Sequence, residues 1–158
     1  MGALREVVVV SGVRTAIGDY GGSLKDFPLV DLAASVVAEA IKRADVDASK
    51  IGQVVMGNVI HTDPRDMYLS RYAAVKGGIP IETPAYTLNR LCGSGLQAIV
   101  CAAQSILCGD TDVALGGGAE SMSRSQYWLP GMRWGQRMND GQVIDAVSYT
   151  HLTLPTKA

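Results

Sequence analysis

Pro84-Ala85-Tyr86-Thr87-Leu88-Asn89-Arg90-Leu91-Cys92-Gly93-Ser94-Gly95-Leu96-Gln97-Ala98 is the stretch on which the reading of this chain turns. The β-formers that follow Pro84 predict a short strand over Ala85–Leu88. Apolar residues at Leu96, Ile99, Val100, Ala103, Ile106 and Leu107 recur at a helical period and predict a helix over Leu96–Leu107. Cys92 therefore falls where a helix begins, and the free N–H groups and dipole of a helix start favour a thiolate. Gly93 and Gly95 leave the first turn bare, so a carbonyl group could reach the sulfur and the N–H groups together. Cys92 is thus a candidate nucleophile; the alternative is a small buried hydrophobe, the common state of a free cysteine.

The other two cysteines give a contrast. Cys101 and Cys108 are seven residues apart, on nearly one helix face, and are expected to pack in the core. Three cysteines show no metal-ligand spacing, and an odd count without a leader peptide argues against a disulfide framework.

Upstream and downstream, strands alternate with helices. Val7–Val10 is a continuous β-branched run, as in a parallel strand buried on both faces. A helix is expected over Leu29–Arg43, a second strand over Gln53–Ile60, a helix opened by Asp63-Pro64 and closed by Gly77-Gly78, and a further strand at Val113–Leu115. This order implies an α/β fold with a parallel sheet, right-handed crossovers and helices on both faces.

Composition narrows the classes. With 47% hydrophobic and 18% charged residues the chain has the apolar content for a packed core and is not a disordered composition. Fourteen basic against fifteen acidic residues leave a net charge of −1, so no nucleic-acid or membrane-surface partner is expected. No apolar run reads as long enough to span a bilayer, and Met1–Glu6 lacks the apolar stretch of a signal peptide, so a cytoplasmic location is expected.

Three local motifs compete at Cys92. Gly93-Ser94-Gly95-Leu96-Gln97-Ala98 fits the dinucleotide-binding pattern, with Glu120 as a ribose acceptor. Cys92-Gly93-Ser94 matches the start of the papain-type motif, but Gly95 replaces its second cysteine. The hydrolase elbow fails because Cys92 stands at its first glycine.

A longer match covers more of the chain. Asn89–Ala98 resembles the acyl-enzyme cysteine signature of the thiolases. Arg5–Gly18 is similar to the family's opening, Gly57–Ile60 and Pro64–Arg71 to its second strand and following helix, and Gly116–Ser123 to the strand that leads into its loop domain. The variants look most like bacterial β-ketothiolases, and the resemblance runs from about Arg5 to about Ala146. It implies a thiolase-like N-terminal half, incomplete, with residues 1–120 as the α/β domain and 121–146 as the start of the loop domain. It implies Cys92 as the residue acetylated by acetyl-CoA, with its own N–H as one oxyanion donor. Acetyl-CoA and acyl-CoA thioesters would be substrates, with no soluble cofactor and no metal, and a homo-oligomer is expected of the full-length protein.

The sequence also departs from that pattern. The family's Gly-His-Pro, Cys-x-Gly and Asn-Glu-Ala-Phe motifs do not occur, and the two histidines, His61 and His151, lie elsewhere. His61 reads as an exposed loop residue. Residues 147–158 show no resemblance to the family and read as a foreign tail; a native short form is the alternative. Two function classes remain: a thiolase whose isolated N-terminal portion is inactive, and a nucleotide-binding or structural α/β module without covalent chemistry.

Overall fold

The structure, a computed structural model, describes residues 5–148. Helix α1 (Leu29–Ala44) starts directly after Pro28 and ends at Asp45, which takes the left-handed conformation. Strand β1 (Gln53–Gly57) is buried from Val54 onward. Asp63 then accepts from the Arg65 N–H at 3.0 Å, while Asp66 accepts from the Asp63 N–H at 3.0 Å. This reciprocal cap opens a 3-10 turn over Pro64–Tyr68 that feeds α2 (Leu69–Lys76), as the Asp63-Pro64 pair predicts. Strand β2 (Ala85–Leu88), helix α3 (Ser94–Cys108) and strand β3 (Ala114–Gly118) complete the domain.

The sheet order is β2-β1-β3, with β1 parallel to both neighbours; Val54 lies opposite Ala85 and Leu115. Side chains alternate across the sheet. Val54 and Met56 face a core shared with Leu29, Val30 and Val37 of α1 and Leu69 and Ala73 of α2. Val55 faces the other way, onto Ala98 and Ala102 of α3. Helices thus cover both faces, as the alternating pattern implies. After β3 the chain leaves this sheet and forms a separate antiparallel pair of β4 (Tyr127–Trp128) with β5 (Ile144–Asp145).

Four expectations need correction. Val7–Val10 forms no strand: Val9 is 83% exposed and its neighbours are open too. β-branched residues suit a strand but do not supply a hydrogen-bonding edge, and this segment pairs with no strand of the β2-β1-β3 sheet. Arg5 instead anchors the segment to the far end of α3, donating to the Ile106 carbonyl at 3.1 Å and pairing with Asp112. The second strand stops at Gly57 because Asn58 turns its amide onto Ala119 and Glu120. Cys108 is exposed rather than core, since the fully buried positions of α3 end at Ala102; Cys101 is half-buried against the Val55 cluster. Finally, the 18-residue window Leu91–Cys108, with mean hydropathy 1.6, does reach membrane-spanning length and composition. Here it is the crossover between parallel β2 and β3 and rests on the sheet. The tail expected over residues 147–158, with His151, lies outside the described residues from 149 onward.

Candidate active site at the start of helix α3

Five residues, Asn89 to Gly93, connect β2 to α3. Leu91 adopts a φ of 48°, the left-handed region. The Leu91 N–H donates to Asn89 Oδ1 at 2.9 Å. The buried Ser94 hydroxyl accepts from the Arg90 N–H at 2.8 Å and donates to the Leu91 carbonyl at 2.7 Å. The bend is therefore held from both ends, and Cys92 stands exposed on it, one residue before Gly93, which caps the start of α3.

Cys92 lines a cavity of about 350 Å³. Leu91, Ser94 and Gly95 form its near wall; Val59, Ile60 and Glu120 form the far one. A second cavity, of about 530 Å³, lies between the 13–25 segment and α1 and shares Gly118, Ala119, Glu120 and Met122 with the first. Glu120, which the sequence offers only as a ribose acceptor, has a different place here. Its carboxylate accepts from the Val59 N–H at 2.8 Å, the Ile60 N–H at 3.0 Å and Asn58 Nδ2 at 3.1 Å. Asn58 Nδ2 also donates to the Ala119 carbonyl at 3.1 Å. This clamp ties the turn after β1 to the end of β3. Glu120 counts as exposed by surface area because it borders the open cavity, yet its carboxylate sits among protein atoms. Burial pushes its carboxyl above the usual range, and the Val59 and Ile60 N–H groups offset part of that. Its place after a strand is what the sequence offers, and that says nothing of its partners.

His61 is half-buried in the loop and lines neither cavity. Among the described residues no three His, Cys, Asp or Glu side chains gather as a metal site would need. The dinucleotide reading loses its acceptor, because Glu120 is turned onto backbone N–H groups. The glycines of β3 serve close packing instead: a Cβ at Gly116 would stand 2.7 Å from the Ile99 Cα. Chemically, the cavity presents an exposed thiol at a helix start, and its carboxylate is already engaged by three donors.

The family that matches residues 7–157 is described as thiolase, N-terminal domain. The chain is 67% identical over 141 residues to the beta-ketothiolase BktB of Cupriavidus necator, covering 89% of this chain and 36% of that protein. It is 42% identical over 144 residues to an acetyl-CoA acetyltransferase of the same organism, covering 91% and 36%. Among solved structures, the Bacillus anthracis acetyl-CoA acetyltransferase superposes with a TM-score of 0.88 at 39% identity, over 94% of this chain and 37% of that one. Human mitochondrial 3-ketoacyl-CoA thiolase gives a TM-score of 0.84 at 41% identity, over 88% and 36%. The chain thus spans little more than a third of the length of these relatives.

Proposed function

The chain belongs to the thiolase family through its N-terminal domain, and from that membership we propose that the complete protein is an acyl-CoA C-acyltransferase acting through Cys92. The observation that carries this reading is exposed Cys92 in the lining of a cavity, on a bend tied down by Asn89 and Ser94. Cys92 Sγ attacks the carbonyl carbon of acetyl-CoA; the bond to the CoA sulfur breaks and CoA leaves as its thiol, carrying the proton. Negative charge on the carbonyl oxygen is met by the backbone N–H of Cys92 at the helix start. Attack by the carbanion of a second acyl-CoA then forms a carbon–carbon bond, or the reverse cleaves a 3-ketoacyl-CoA. That step needs a base beside the α-carbon. Among the described residues no histidine lines the Cys92 cavity, and on this reading the chain by itself carries acetylation and not carbon–carbon chemistry.

The same reading makes CoA thioesters the substrates, with no further cofactor, and places the full-length protein in the cytoplasm as a homo-oligomer. It also divides the chain into an α/β part over 1–120 and the start of a loop domain over 121–146. Incubating the chain with radiolabelled acetyl-CoA tests it. One acetyl group on Cys92, lost in Cys92→Ala and kept in Cys101→Ala, supports the proposal; equal labelling of the Cys92→Ala variant overturns it. The chain should leave acetoacetyl-CoA intact with or without added CoA, and turnover abolished by His61→Ala would promote His61 to a catalytic residue.

A further inference from the structure

Among the described residues Leu91 is one of four non-glycine residues with positive φ, and it alone of these precedes a cysteine. L side chains enter the left-handed region only at a cost, so something must hold the backbone there. The peptide unit held is the one that joins Leu91 to Cys92, and it carries the Cys92 N–H. Returning Leu91 to the right-handed region would turn that unit over and point the N–H elsewhere. Asn89 Oδ1 accepts from the Leu91 N–H at 2.9 Å, a side-chain turn that favours the left-handed state. Asn89 Nδ2 reaches 3.5 Å from the carbonyl of Val59, which Glu120 fixes through its own N–H. The bend is thereby referred to the far wall of the same cavity, although a contact this long contributes little by itself.

We propose that Asn89 is a positioning residue for acyl transfer: its carboxamide holds Leu91 left-handed and so aims the Cys92 N–H at the acyl oxygen. The inference rests on the acyl-transfer reading of Cys92. It predicts a split between two reactions of one thiol. Alkylation by iodoacetamide displaces iodide at a saturated carbon and develops no oxyanion. Acetylation by p-nitrophenyl acetate does: the Sγ–C bond forms, the C–O bond breaks, nitrophenolate leaves and the thiol proton passes to buffer.

Both rates are measured on the 158-residue chain by peptide mass spectrometry, with the alkylation rate of half-buried Cys101 in the same samples reporting that the fold is intact. In Asn89→Ala acetylation of Cys92 falls about tenfold or more, less than the roughly hundred- to thousandfold of a deleted oxyanion donor because the N–H is misaimed rather than removed, while its alkylation stays within about twofold. Asn89→Asp retains the accepting oxygen and recovers most of the acetylation rate. Leu91→Gly added to Asn89→Ala recovers part of it, because glycine takes positive φ freely. Unchanged acetylation in Asn89→Ala overturns the proposal. So does a parallel fall of both reactions, or an Asn89→Asp variant as slow as Asn89→Ala. A wild-type chain that alkylates at Cys92 but accepts no acetyl group from either donor overturns the acyl-transfer reading, and this inference with it.

Discussion

Helices α1 and α3 lie on opposite faces of one three-stranded sheet and pack by opposite rules. α1 buries large side chains: Leu29, Val30 and Val37 interlock with α2 and with Val54 and Met56. α3 buries Ser94, Ala98 and Ala102 and leaves Leu96, Ile99, Val100 and Leu107 exposed. The cause is the surface beneath. Under α3 the sheet offers Gly57 and Gly116, and a Cβ at Gly57 would come within 2.5 Å of the Ser94 carbonyl carbon. Helix and sheet meet backbone to backbone, and only small residues fit between them. That close seat fixes the height of Ser94, and through its two hydrogen bonds the bend that carries Cys92. One face of the domain is built for stability by volume; the other is built to place a helix end.

This contrast can be broken by substitution. Leu29→Ala opens a cavity in the interlocked layer, and the urea midpoint should drop by the equivalent of about 2–5 kcal/mol. Gly116→Ala forces a methyl group against the Ile99 backbone and should cost about 1–3 kcal/mol. Its signature differs from that of Leu29→Ala, because Cys92 acetylation should decline at temperatures where the variant remains folded. A Gly116→Ala chain as stable and as reactive as wild type would show that α3 is not seated as described.

The α1–α2 layer should also answer to acid. The Arg65 guanidinium, and after it the Arg65 N–H, hold the Asp63 carboxyl well below the usual aspartate range. A group lowered in the folded state contributes stability that is complete above the unfolded value near pH 4 and is lost as pH falls toward the folded one. Urea midpoints of wild type should therefore decline below about pH 4. In Asp63→Asn that decline should be shallower, and added salt should weaken the effect because the pair is open to solvent.

The smallest expected change in stability lies on the outer face of α3. Leu96, 70% exposed, should tolerate Leu96→Ala within about 0.5 kcal/mol. Replacing Leu96 and Val100 together with Lys should lower the binding of a hydrophobic dye by the chain. Dye binding that stays at the wild-type level would move the exposed apolar surface elsewhere, for instance to Trp134 and Met138.

These tests bear on how far the residues alone could be read. The apolar period located α1 and α3 to within two residues, and the Asp63-Pro64 pair located the cap before α2. For α1 the buried face is Leu29, Val30, Ala33, Ala34 and Val37; of the apolar positions Leu29, Leu32, Val36, Ala40 and Ile41 that mark this helix in the sequence, Leu29 alone is fully buried and Ile41 packs partly buried against the same core. For α3 the apolar period marks a face that stays largely exposed. Periodicity reports that a helix exists, and it names the buried face only where the opposing surface wants bulk. Val7–Val10 failed for a related reason: β propensity belongs to one segment, but a strand is a relation between two.

By itself, then, the amino-acid sequence determined the order of strands and helices from α1 onward, the sheet's parallel character, and a cysteine at a strand-to-helix junction within a thiolase-like signature. All are local: caps, periods and short motifs act over a few residues. The tertiary structure alone decided that α3 would rest on glycines by its small residues. It also decided that Glu120 would clamp a turn some sixty residues before it, and that Asn89 and Ser94 would brace a left-handed Leu91 beside Cys92. Such contacts depend on where a second segment lies, and no period or propensity within the first segment encodes that position.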